Sequence, residues 1–176
     1  MNTITEGRND ALPEMTLKAI ETLSKNKKGF VLMVEGSMID WGSHEQNIGY
    51  VVHEMIDLDN AIGVALDFAS GDGKTLVVVT ADHETGGLSL TGGNLAEHAI
   101  EANFSGTDHT AVMVPVFSYG SGAERFSGIH DNTFFFEEFS QLRIEIRLGI
   151  KPILKHPRFD ARHFVEGSEL RVIIAV

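Results

Sequence analysis

Asp40 and His44 stand four residues apart, Asp82 and His83 are adjacent, and His109 follows a polar segment with Thr110 beside it. A four-residue spacing puts Asp40 and His44 on one face of a helical turn. Carboxylates and imidazoles are the donors that borderline and hard divalent cations take. Glu35, five residues before Asp40, offers one more oxygen for a neighbouring, harder ion. Taken singly these are common patterns, and an Asp-x-x-x-His pair is more often an exposed helix face than a ligand pair. Jointly they point to metal-assisted hydrolysis.

Each group follows an aliphatic run that reads as a buried strand, Phe30–Val34 before Glu35 and Thr75–Val79 before Asp82. In an open α/β sheet the ends of such strands are where ligands gather. Ahead of the first strand, residues 13–28 read as a helix, with Thr16, Ala19, Ile20 and Leu23 in helical spacing and Gly29 placed to end it. After His44, Asp57 or Asp59 is placed to cap a second helix with Leu58, Ala61, Ile62, Ala65, Leu66 and Ala69 on one face. Gly71-Asp-Gly-Lys-Thr75 has part of a phosphate-loop pattern, but Phe68 replaces the leading glycine and a strand follows, so it reads as a turn. Gly86-Gly87 marks a sharp turn or a close backbone approach. A further strand is expected over 111–117, and Phe134–Phe136 anchors a last helix. This helix–strand alternation predicts an α/β fold, part of a central, mostly parallel sheet with helices on both faces.

At 176 residues the chain is one domain or a piece of a larger one, and 43% hydrophobic content supports a real core. Without cysteine, disulfides and thiolate metal sites are excluded. No run approaches the ~20 apolar residues of a membrane span, and the first ten residues hold no apolar segment, so no secretory signal is expected in this chain. A net charge of −11 argues against nucleic acid as a partner. The charge is uneven: residues 1–139 carry 7 basic against 21 acidic residues, whereas 140–176 carry 7 against 4. Beyond Ser140, Leu142–Leu148 alternates like a strand and Leu170–Val176 ends the chain on an apolar run. Within it the uncharged Val172–Val176 is expected to add an aggregation-prone surface.

Val34-Glu-Gly-Ser-Met-Ile-Asp40, Val79-Thr-Ala-Asp-His83-Glu-Thr-Gly-Gly87 and His109-Thr110, with the helix before them, resemble the C-terminal part of an alkaline phosphatase over residues ~10–139. The resemblance implies zinc- and magnesium-dependent hydrolysis of phosphate monoesters. It places Asp40, His44 and His109 on a first zinc, Asp82 and His83 on a second, incomplete zinc site, and Glu35 on an incomplete magnesium site. It also implies a homodimer when intact and a periplasmic or extracellular setting. Missing from the pattern are the Asp-Ser nucleophile and a phosphate-gripping arginine, since before residue 140 only Arg8 and Arg125 occur. Alternatives are a silent zinc-binding fragment, or a phosphodiesterase or sulfatase of the same superfamily. Trp41 and Ser43 stand where some members carry charged residues near the phosphate, and Thr85 where some carry a histidine behind the ligands. Trp41 reads equally as packing or as substrate-pocket lining. His53, His98, His130, His156 and His163 match no ligand position and read as surface or loop residues. Residues 140–176 match nothing in the family and have the character of a replaced end.

Overall fold

The computed structural model describes residues 3–148 and 170–176. In chain order it forms α1 (Ala11–Leu23), β1 (Gly29–Val34), α2 (Met38–His44), α3 (Ile48–Asp72), β2 (Thr75–Val79), β3 (Glu84–Thr85), β4 (Ser89–Asn94), β5 (Ala99–Asn103), β6 (His109–Thr110), β7 (Phe117–Gly120), α4 (Thr133–Leu148) and β8 (Leu170–Ala175). The main sheet has strand order β1-β8-β2-β7; β8 is parallel to both β1 and β2, and β7 is antiparallel to β2. Strand alternation divides the side chains between two layers. Phe30, Val34, Val77, Ile173 and Ala175 pack with Leu12 and Ile20 of α1 and with Leu58, Ala61, Ala65 and Ala69 of α3. Leu76, Val78 and Val172 face the other way, onto Phe126 and Leu142, with Phe134, Phe135 and Phe139 against them. The α/β sheet with helices on both faces is therefore as expected.

Several elements differ from the sequence expectation. Helix α3 starts at Asn47, whose side chain accepts the Tyr50 N–H, and not at Asp57 or Asp59. Asp57 instead lies fully buried in mid-helix, because Arg8 reaches in to pair with both Glu54 and Asp57. Helix α1 stops at Leu23, short of the expected end at Lys28; Gly29 still takes a left-handed φ of +83°, but as the first residue of β1. Residues 111–116 form no strand: pairing to β2 begins only at Phe117, after Pro115, which lacks the N–H a ladder needs. Residues 142–148 continue α4, since Phe135, Phe139 and Leu142 already follow helical spacing and a seven-residue alternation is too short to override it.

The apolar end has the most consequence. Val172 and Ile173 are fully buried between β1 and β2, and Arg171 pairs with Asp72 at the end of α3. That run is core, not the exposed surface the sequence reading expected. Both sides of position 140 thus contribute to one core.

Candidate metal centre

Strand β1 and helix α2 deliver the first half of the site. After Val34 the chain turns through Gly36, whose N–H donates to the Val176 carbonyl, and enters α2, which carries Asp40 and His44 on one face. Beyond β2, Thr80 likewise donates its N–H to Ala175, and the chain then reaches Asp82 and His83. His109 comes from β6, which pairs with β3 so that Thr85 stands opposite His109. Gly86 and Gly87, with φ of +84° and +59°, make this closure possible: the Gly86 carbonyl accepts from the N–H groups of Ser105 and Gly106. A Cβ on Gly87 would sit 1.9 Å from Ser105 Oγ.

Asp40, His44 and His109 are brought together. His44 Nε2 lies 3.2 Å from His109 Nε2 and 3.3 Å from Asp40 Oδ2, and His109 Nε2 lies 3.5 Å from Asp40 Oδ1. Ligands of a tetrahedral zinc at bond lengths of 2.0–2.1 Å are separated by about 3.3 Å; the two imidazole nitrogens meet that spacing, and one donor atom from each of the three residues lies within 4.8 Å of the others, so the group could hold one ion. The Thr107 carbonyl can only accept, so His44 Nδ1 carries the proton and donates to it. This fixes the tautomer and turns the Nε2 lone pair into the cluster, the usual arrangement behind a metal-binding imidazole.

His83 stacks on His109 with ring centroids 3.5 Å apart, and its Nε2 is 3.3 Å from Asp82 Oδ2. Asp82 and His83 therefore border the first group without entering it. Glu35 is exposed directly after β1 and also stands outside that group. Of the other histidines, His53 bonds the Gly49 carbonyl, His98 occupies a left-handed position in the exposed β4–β5 hairpin, and His130 stacks on Phe134. His156 and His163 lie outside the described residues.

Two side chains support the cluster: Thr85, at the position the resemblance placed behind the ligands, and Glu84, which the sequence reading did not single out. Thr85 donates its hydroxyl to Asp40 Oδ1 and lies 3.2 Å from His83 Nδ1, so it joins the two ligand groups. Glu84 accepts from the Thr110 hydroxyl and from the N–H groups of Gly87 and Leu88. The Thr110 bond, aided by those two N–H groups, holds its carboxyl below the usual range against the opposing effect of burial. Only the β3–β6 pairing reveals this latch between the His83 and His109 segments. Arg8, Arg125 and Arg171 are committed to Glu54 and Asp57, to Glu138 and Gln141, and to Asp72 respectively.

A mostly parallel α/β sheet with carboxylates and imidazoles converging beyond its strand ends defines an α/β protein with a group of side chains that could hold a metal ion. The chain belongs to the alkaline phosphatase family, whose model matches residues 3–106. That match ends just before His109, whose place in the cluster rests on the geometry. Alkaline phosphatase 4 of Bacillus subtilis (strain 168) is 31% identical over 196 aligned residues, covering 73% of this chain and 42% of that protein. Alkaline phosphatase of Escherichia coli (strain K12) is 39% identical over 148 residues, covering 73% and 31%. The structure of alkaline phosphatase from the Antarctic bacterium TAB5 superposes with a TM-score of 0.74 at 44% identity, over 81% of this chain and 43% of that one. A His-to-Glu mutant of the TAB5 enzyme has Mg bound in its M3 site. The chain spans less than half the length of each of these relatives.

Proposed function

We propose that this chain carries the zinc-ligand part of an alkaline phosphatase site, serving hydrolysis of phosphate monoesters. The observation that carries the reading is the convergence of Asp40, His44 and His109, whose donor atoms lie within 4.8 Å of one another with the two imidazole nitrogens 3.2 Å apart, a donor set that suits a zinc ion. Asp82 and His83 would hold a second zinc and Glu35 a magnesium ion, each with further ligands from outside the described residues. Bound cations would supply positive charge to phosphoryl and leaving-group oxygens. The chain's own residues do the positioning: Thr107 holds the His44 tautomer, and Thr85 orients Asp40. Family membership supports the monoester reading over a phosphodiesterase or sulfatase, and also underlies the reading of a homodimeric whole protein in a periplasmic or extracellular setting. The family's nucleophile pattern, an Asp-Ser pair, has no counterpart in these 176 residues. The isolated chain is therefore proposed to bind metal without turnover.

Titration calorimetry tests the centre. Zinc is expected at about one tight equivalent. His44→Ala should abolish tight binding, whereas His98→Ala, on the exposed hairpin, should leave it unchanged. Equal losses in the two variants would overturn the ligand assignment.

A further inference from the structure

Beside the metal centre, a cleft of about 680 Å³ lies between the N-terminal segment, α2 and α3, lined among others by Glu6, Met38, Trp41, Glu45, Tyr50 and His53. Building on the metal-centre reading, we infer that this cleft takes the alcohol portion of a phosphate monoester and selects a cationic one, an amino alcohol or a quaternary ammonium alcohol.

Position is the first argument. Helix α2 serves both sites, with Asp40 and His44 on one face and Met38, Trp41 and Glu45 on the adjoining one. Asp40 and Trp41 are consecutive, so their Cα atoms are about 3.8 Å apart. The two sites thus share one short helix, so a phosphoryl group held at the cluster would have Trp41 as the nearest cleft residue in sequence, and the volume lies in the range of small-molecule sites.

Lining chemistry is the second. The Tyr50 ring crosses Gly42 and its hydroxyl donates to Met38 Sδ at 3.8 Å. A Cβ on Gly42 would stand 3.0 Å from the ring, so glycine lets the tyrosine form this wall. Trp41 is 60% exposed and leaves its indole available at the cleft. Two carboxylates, Glu6 and Glu45, line the space, and no lysine or arginine does. Arg8, the nearby guanidinium, is turned to Glu54 and Asp57. Burial pushes the Tyr50 phenol up, and the neighbouring carboxylates of Glu54, Glu45 and Glu6 add to this against the lowering by Arg8. Aromatic faces with carboxylates recognise ammonium groups, and the same charges repel an anionic alcohol.

Trp41 is the sole tryptophan, so its emission reports on the cleft directly. At pH 8, above the ordinary imidazole range, choline should quench the emission of the zinc-free chain saturably. Its uncharged isostere, with carbon in place of nitrogen, should bind about 3-fold more weakly or worse. Glu45→Gln should weaken choline by about 3-fold and leave the isostere unchanged, with circular dichroism confirming the fold. Equal responses to the two probes, or no saturable response, would overturn the inference. On the zinc-loaded chain, phosphocholine should bind more tightly than choline. If it binds no more tightly, the cleft is a cation site unconnected to the ester, and the substrate class is refuted. Failure of zinc to bind would instead strike the metal-centre reading, while the choline arm still decides the cleft.

Discussion

Thr85 and Asp57 show how much a single side chain decides. Thr85 is 93% buried and spends its hydroxyl proton on Asp40, so the carboxylate faces His44 and His109 in one orientation. Replacing it with valine keeps the shape and removes the donor. Zinc affinity of Thr85→Val should fall about 10-fold or more, the usual effect of losing a partner behind a ligand. Thr85→Ser should recover most of it, and calorimetry on the three proteins would expose a purely steric role by showing no recovery. Asp57 tells a different story, because neither carboxylate oxygen receives a well-formed hydrogen bond, although Arg8 Nη2 lies 2.9 Å from Oδ2. Burial pushes its carboxyl up, opposed by Arg8 and reinforced by Glu54. Between the ordinary carboxylate value and this raised one, the native state binds more protons than the unfolded state, so stability falls as pH rises through that window. Relative to Asp57→Asn, the parent chain should therefore lose stability in urea as pH is raised from about 4. Parallel pH profiles for the two proteins would show that Asp57 is not the source.

At the scale of elements, β8 is the piece on which the site depends most. It is paired to β1 over Leu170–Ala175 and to β2 over Arg171–Ala175, and its end accepts N–H groups from Gly36 and Thr80, the residues leading into the two candidate-ligand segments. Arg171 adds a guanidinium stacked 6.0 Å over Phe68 and paired to Asp72, which also accepts the Thr75 hydroxyl. Ile173→Ala should cost about 2–5 kcal/mol, the range for emptying a buried aliphatic site. Removing 170–176 should abolish cooperative unfolding altogether, since β1 and β2 would lose their shared partner. A truncated chain melting cooperatively at the parental temperature would mean that β1 and β2 hold the ligand segments without it.

For the molecule as a whole, the sheet among the described residues is filled in the middle and has β1 and β7 at its two edges. β1 is an edge strand, and its Val31 and Met33 are exposed on the face that α4 covers over β2 and β8. Such a surface promotes association. Catalysis needs a positioned nucleophile in addition to metal ligands. The isolated chain loaded with zinc should thus release no phosphate from a chromogenic monoester above background. Metal-dependent release abolished by one serine substitution would refute this and assign the nucleophile in a single step.

Two aliphatic runs, each followed by carboxylates and imidazoles, made the α/β layout and five of the six candidate ligands legible from sequence alone, because strand periodicity and donor chemistry are local properties; His109, after a polar segment, entered through the family resemblance. Helix starts were less legible: Asp57 has the residue type of a cap, and only its partnership with Arg8, 49 positions away, makes it an interior residue. Which donors lie together is likewise a tertiary matter, since His44 and His109 meet across 65 positions through the β3–β6 pairing. So is the place of the last strand. An apolar run of seven residues reads alike at a ragged end and at the centre of a sheet. Only the slot between β1 and β2, whose backbone groups must be paired on both sides, distinguishes the two.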